Sequence, residues 1–308
     1  MKRSFDVIAI FLCAAFALIS SAQNWDQEWR MKKSGDAGKV HFSIERSRPG
    51  NRWNHSSDMP IESFRGLSLQ ALANGGPAKF EFVRDAGRLV CEGQFTTGRG
   101  IGSFEFSPNP QYASELQRLV YEAPEENRLF GMLMADVSLE FARGVKQANV
   151  PSTTKQLLDM RIHGVTLDYI NRMHSAGYKD LDAKNFVEMK IHGVTPELVA
   201  ELKKAGYDVP AKKVVEMKIH GVSPEYIQEL NNYGLRPDAS EIVEMRIHGV
   251  KPDFISATKN FGYNFTGKEL IQLKIHGVNE QYLRKLKDSG FQNLTAEKIV
   301  KLRIHGID

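Results

Sequence analysis

Cysteine is almost absent: Cys13 and Cys91 are the only two in 308 residues, which excludes a disulfide-built fold. Charge of one sign is lacking too. Basic residues number 41 against 37 acidic ones, and the resulting +4 is small beside the surplus of a dedicated nucleic-acid binder. With 12 prolines and 25 glycines the chain has too few of either for a collagen-like or low-complexity protein. Tryptophan occurs only as Trp25, Trp29 and Trp53, all early. Apart from one stretch near the start there is no long apolar run, which excludes a polytopic membrane protein. No carboxylate pair, metal-ligand spacing or phosphate loop is visible, so neither an enzyme nor a bound metal or cofactor is expected. What remains is 42% hydrophobic and 25% charged residues, ordinary for a globular chain long enough for two domains.

The apolar stretch reads as an address. Met1-Lys2-Arg3 is basic, residues 7–19 are almost wholly apolar, and Ser20-Ser21-Ala22 places small residues where a signal peptidase cuts. About 13 apolar residues fall short of the ~20 that span a bilayer. Residues 1–22 are therefore expected to be a signal peptide cleaved after Ala22, giving a periplasmic or secreted protein with no membrane span. Cys13 leaves with it. Cys91 shares parity with Leu89 and Phe95 in an alternating segment and reads as a buried small hydrophobe.

Residues 23–118 are expected to form a small antiparallel β domain. Val40, Phe42 and Ile44 alternate with polar residues, as do Phe80 and Phe82, then Leu89, Cys91 and Phe95, then Phe104 and Phe106. Asp85-Ala86-Gly87 and Thr97-Gly98-Arg99-Gly100 are turn-like breaks, so the last three strands should form a meander. Residues 51–74 read as loop with one short helix near Ser68 to Ala73. The tryptophans are expected to pack against the edge of the sheet. Glycines 98, 100 and 102 resemble a dinucleotide loop in composition, but they lie between strands and precede no helix. Trp53, His55 and Asp58 are the only residues here that could be weighed for catalysis.

From 119 to 308 the chain repeats. Ile-His-Gly occurs with histidines at His163, His192, His220, His248, His276 and His305, spaced 29, 28, 28, 28 and 29 residues apart. Residues 122–150 match the apolar positions without the His and Gly, a degenerate first repeat of the kind that ends a solenoid. Each unit reads as two short helices. The first stops at Gly164, Gly193, Gly221, Gly249, Gly277 or Gly306, able to take the left-handed cap conformation. The second opens on sequences such as Thr195-Pro196-Glu197 and Ser223-Pro224-Glu225, with a capping oxygen, a proline suited to the first helical position and an acid at the positive helix end. The fold class is thus α+β, a small β domain followed by an α-solenoid of helical hairpins. On the first helix Val214, Val215, Met217 and Ile219 are expected to share one buried stripe.

Two rows run along the array. The histidines stand too far apart to share a metal across helices ~8–10 Å apart, so each is expected to pack in its hairpin and bond a helix-end carbonyl. The second row is Arg161, Lys190, Lys218, Arg246, Lys274 and Arg303, the candidate binding residues. Structurally they can offset the negative helix end and pair with acids such as Glu197 and Glu225; functionally, cations along a rod suit a polyanion. The region from Ser152 carries 23 basic and 20 acidic residues, a near balance that favours the structural role.

The Ile-His-Gly-Val-Thr-Pro-Glu hairpins resemble tandem repeats of exported bacterial proteins, including the extracytoplasmic tails of antirepressor-type membrane metallopeptidases of the β-lactam-sensor class. Phe82-Val-Arg-Asp-Ala-Gly87 and Gly100-Ile-Gly-Ser-Phe-Glu-Phe-Ser-Pro108 are similar to the small β domain that accompanies them. The resemblance implies a sensing or scaffold role and no catalytic residues, since the peptidase motif is absent from this sequence. A weaker resemblance is to helix-hairpin-helix DNA-binding units, though Thr166, Thr195, Ser223, Lys251 and Asn279 stand where their second glycine would. Ser152-Thr-Thr-Lys155 matches a short penicillin-recognition pattern but reads as a helix cap. The expected function is a non-enzymatic exported binding or scaffold protein facing a protein or cell-envelope component; the alternative is a polyanion or DNA binder. Amino-terminal sequencing of the exported protein should begin at Gln23, and a chain that begins at Met1 would remove the leader.

Overall fold

The computed structural model describes residues 25–120 and 122–307. The expected signal peptide, its cleavage point and Cys13 lie outside the described residues. Two compact units result: one comprises the chain up to Val83 with Arg88–Ser107, the other Arg84–Gly87 with Pro108–Asp308.

The first unit is built on β1 (Asp26–Lys33), β2 (Lys39–Arg48), β3 (Asn51–Pro60), β4 (Phe64–Arg65), β5 (Gly76–Arg84), β6 (Gly87–Thr96) and β7 (Arg99–Pro108), with helix α1 (Leu69–Asn74). They form one sheet in the order β3-β2-β1-β7-β6-β5-β4, so β5, β6 and β7 are the expected meander. Three strands go beyond the sequence reading, the two-residue β4 within the stretch read as loop among them. Strand β1 lies centrally between β2 and β7, and β3 occupies much of the stretch read as loop. Its sequence is polar because it is an edge strand: Trp53, His55 and Ser57 on its inner face are only half-buried, and little hydrophobicity is required there.

The sheet must curl. At ~4.8 Å per strand, β2 and β4 would sit about 24 Å apart if it were flat. Instead the Phe42 and Phe64 ring centroids are 4.9 Å apart, edge to face, and both rings meet Phe80 and Phe82. Cys91 is fully buried in this core, and burial pushes its thiol pKa upward, as its alternation with Leu89 and Phe95 predicted.

Trp29 is fully buried in the middle of the sheet, not at its edge, with its indole Nε1 donating to Glu92 O at 3.1 Å. The ring crosses a glycine gap. A Cβ on Gly93 or on Gly100 would lie 2.8 Å from a Trp29 ring carbon, and one on Gly102 would lie 2.6 Å from Gly93 Cα. These glycines serve close approach of ring and backbone, the role left for them once dinucleotide binding is set aside.

The second unit is a run of helices. It comprises α2 (Pro110–Val120), α3 (Glu126–Ala135), α4 (Leu139–Gln147), α5 (Thr154–Ile162), α6 (Leu167–Ser175), α7 (Ala183–Ile191), α8 (Pro196–Lys204), α9 (Ala211–Ile219), α10 (Pro224–Asn232), α11 (Ala239–Ile247), α12 (Pro252–Asn260), α13 (Gly267–Ile275), α14 (Glu280–Asp288) and α15 (Ala296–Ile304). Odd-numbered helices from α3 onward stack on odd, and even on even, giving the two layers of a hairpin array. The expected degenerate repeat is present as α3 and α4. Helix α2, which the sequence reading left within residues 23–118, groups with the helices. Its start explains why: Asn109 Oδ1 caps the amides of Gln111 and Tyr112, and Asn109-Pro110-Gln111-Tyr112 parallels Ser223-Pro224-Glu225-Tyr226. The turn residues Arg84 and Asp85 serve the same unit, Arg84 donating to Leu133 O and Met134 O at 2.8 and 2.7 Å and Asp85 accepting from Leu139 N.

Among the described residues no helix is long and apolar enough to cross a membrane. Gly102→Ala should destabilise the first unit by about 3 kcal/mol, the upper end of overpacking costs, because its Cβ meets backbone. Gly35→Ala, with open space around it, should stay within about 0.5 kcal/mol in the same urea titration.

A repeated edge in the helical unit

Each repeat turns on one cap. After the first helix of a pair, the glycine adopts a left-handed φ, +66° at Gly193 for example. Two backbone bonds then close the helix end: Gly193 N donates to Lys190 O at 3.1 Å, and Val194 N donates back to Met189 O at 2.8 Å. The same pair recurs at Met160/Val165, Met217/Val222, Met245/Val250, Leu273/Val278 and Leu302/Ile307. In the degenerate repeat Asp136 takes the left-handed position at φ 57°, and Val137 N reaches Met132 O. Met189 and Val194 are both buried, as this cap requires of the residues it brings together.

The cap decides what the Ile-His-Gly tripeptide presents. With the methionine inward, the isoleucine two residues on falls at the margin of the buried arc. Ile162, Ile191, Ile219, Ile247, Ile275 and Ile304 are 59, 55, 53, 52, 47 and 61% exposed. Ile219 thus leaves the stripe it was expected to share with Val214, Val215 and Met217, which are buried. It sits roughly 135° from their mean direction at 100° per residue. Among the described residues of the helical unit, the only other exposed large hydrophobic is Ile307.

The histidines differ from expectation as well. Five of the six are exposed and His276 is half-buried, and no imidazole of the row makes a hydrogen bond within the described residues. The reason is the cap itself: the backbone amides of His192, Gly193 and Val194 already occupy the carbonyls of Glu188, Lys190 and Met189. Little is left for an imidazole to donate to. Among the described residues no three His, Cys, Asp or Glu gather as a metal-ligand set.

The basic row is held between repeats. Arg161 lies over the Phe141 ring at 5.3 Å, Lys190 over Tyr169 at 4.6 Å, Arg246 over Tyr226 at 4.7 Å, Lys274 over Phe254 at 4.8 Å and Arg303 over Tyr282 at 4.8 Å. Each cation thus caps the aromatic three residues after the N-cap of the preceding second helix. All five are half-buried. The exception proves instructive: Lys218 faces the repeat whose corresponding residue is Leu198, and Lys218 is exposed. The arginines also meet the preceding first-helix end, Arg161 Nε donating to Asp136 O and Arg246 Nε to His220 O. Glu197, an acid expected to pair with this row, pairs instead with Arg172.

The same aromatic position couples the repeats a second way. Tyr112, Tyr169, Tyr226 and Tyr282 donate their hydroxyls to Val137 O, Val194 O, Val250 O and Ile307 O, each at 2.7–2.8 Å. Each acceptor is the carbonyl just beyond the left-handed cap of the following repeat. Phe141, Leu198 and Phe254 take the intervening places and lack the hydroxyl. The sequence reading missed this row, although its signal is plain: an aromatic at a fixed spacing of three after the cap residue. Burial pushes Tyr169 and Tyr226 up to about 12 from the ordinary 10.0, and Tyr112 is raised as well.

The second helices leave little for a phosphate. Thr166, Thr195, Ser223 and Asn279 side chains accept from the first-turn amides of Tyr169, Leu198, Tyr226 and Tyr282. Pro196, Pro224 and Pro252 remove an amide outright. Ser152 bonds Val150 O and Thr153 caps α5, so the Ser-x-x-Lys match is a helix start.

In the first unit Trp53, His55 and Asp58 do not converge. An odd separation in a strand puts His55 and Asp58 on opposite faces: His55 stacks on Trp53 and contacts Ser57, while Asp58 meets His41 and Ser34. No family model, no curated protein and no solved structure matches the chain.

A raised tyrosine pKa means that the folded state holds the proton more tightly than the unfolded chain. The associated stability is complete below about pH 10 and disappears as pH climbs through about 12. Tyr169→Phe with Tyr226→Phe should therefore flatten the alkaline fall in thermal midpoint. Near neutral pH the pair should cost about 1 kcal/mol per lost hydrogen bond. An unaltered alkaline slope would count against these rungs.

Proposed function

We propose that this is an exported, non-enzymatic binding or scaffold protein whose helical repeats carry a protein or cell-envelope partner along their isoleucine edge. The single supporting observation is the row from Ile162 to Ile304, one large apolar side chain per repeat and each about half exposed or more. Repeats stacked at ~8–10 Å offer a partner six equivalent apolar contacts in single file. Side chains of this kind, repeated in place, are recognition elements more than packing elements, because burying them would add to stability and the fold leaves them out. The exposed histidines beside them add polar donors and acceptors to the same edge.

The leader-like start supports export, and the resemblance of the repeats to those of exported bacterial proteins is in keeping with a sensing or scaffold role. Support for a non-enzymatic reading comes from the lack of a catalytic motif in the sequence and from the divergence of His55 and Asp58. The polyanion alternative draws less support, because five of the six cations lie over aromatic rings and the hairpin amides are capped.

The test is a triple variant, Ile191→Asp, Ile219→Asp and Ile247→Asp, compared with the wild type in retention of envelope-extract components. The thermal midpoint should be unchanged, since all three side chains are exposed, and components retained by the wild type should be lost. Equal retention by both proteins overturns the isoleucine edge. Retention that collapses with salt and with Lys190→Glu, Lys218→Glu and Arg246→Glu would favour the polyanion alternative.

A further inference from the structure

The outward face of the first unit carries a charge arrangement that the fold does not neutralise. Strand register places Lys32 directly opposite Arg99 on one side and His41 on the other. Next along the strands, Arg30 lies opposite Ile101 and Ser43. Directly opposed side chains in an antiparallel pair stand only ~5 Å apart at Cβ, where like charges repel and destabilise the sheet.

Neighbouring groups on this face show that the conflict is local. Glu28 and Glu45 are also opposed, but Glu28 pairs with Arg30 at 2.5 Å and Glu45 with Arg52 at 2.9 Å. His41 is held by Asp58 through Nδ1 at 2.7 Å, and Asp58 in turn accepts from Ser34 at 2.7 Å. Lys39, nearby on β2, pairs with Asp36. Lys32 and Arg99 alone among these have no carboxylate partner within the described residues.

They also border space. An open cavity of about 570 Å³ is lined by Arg30, Lys32, His41, Gln94, Thr96 and Arg99 together with Ile101, which is 51% exposed. That volume falls in the range of small-molecule sites, and its wall combines two unneutralised cations, neutral polar groups and one apolar side chain. An arginine fork beside a lysine point charge suits the tetrahedral oxygens of a phosphate group, and a dianion would offset both charges at once.

We propose that Lys32 and Arg99 form an anion site on the β unit that takes a phosphate-bearing ligand, with Ile101 covering the ligand's apolar portion. The site is independent of the isoleucine edge. Phosphate in this setting has two sources, a small soluble phosphate compound or the headgroup of an anionic lipid.

The test uses the full chain at low salt. Thermal midpoints are followed against inorganic phosphate and pyrophosphate, and flotation is measured with vesicles of phosphatidylcholine alone or mixed with phosphatidylglycerol. A rise in midpoint with the soluble anions, or flotation only with the mixed vesicles, supports the site and separates its two sources. Lys32→Gln with Arg99→Gln should weaken that response at least about tenfold, the scale of losing charge-assisted hydrogen bonds. Without ligand the double variant should melt no lower than the wild type, because a repulsion has been removed. A double variant that responds like the wild type overturns the proposal, as does a wild type that responds to none of the probes.

Discussion

Short helices make their ends decisive. Helices α4 to α15 are nine residues each, too short to persist alone, and nearly half the backbone groups of such a helix lack an intrahelical partner. The left-handed residue after each helix satisfies the carbonyls at one end and turns the chain so that the next helix can start. Everything else in the array follows from that reversal: the buried methionine and valine, the outward isoleucine, and the carbonyl that the tyrosine of the preceding repeat finds. Where glycine is missing, Asp136 and Asn149 take the same conformation, two residue types that tolerate it best.

The first unit rests on a different constraint, the closeness of Trp29 to its neighbours. Gly93, Gly100 and Gly102 leave room for the indole against the backbone of β6 and β7, and the phenylalanines fill the inside of the curl. With large rings filling the inside of the curl, the site proposed for this unit lies on the outer face.

Much of this was legible in the sequence for physical reasons. Periodicity of two marks strands with one buried face, so the strands bearing Phe42, Phe80, Cys91 and Phe104 could be read directly. Strand β3 could not, because an edge strand of Asn, Ser, His and Asp carries no hydrophobic alternation. The repeats, their caps and the degenerate first hairpin announced themselves through spacing. The fate of single residues within a repeat did not. Whether Ile219 is buried depends on a margin of a few tens of degrees, and whether His192 bonds a carbonyl depends on which amides reach it first. The basic row showed a similar limit: its position on the helix was readable, but its aromatic partners lie a repeat away and only the stacking brings them together.

The hydroxyl row gives the array a grain coarser than its repeat. Tyrosine stands at alternate positions, 112, 169, 226 and 282, so every second junction between hairpins carries this hydrogen bond, while the Leu198 junction, which lacks it, is bridged instead by Tyr207 donating to Pro237 O at 2.7 Å. A chain of equal links would loosen anywhere along its length; one with alternating strong and weak links loosens at the weak ones. The same alternation sets a parity for change in length. Gaining or losing two hairpins keeps strong and weak junctions in step, whereas gaining or losing one puts two of a kind side by side.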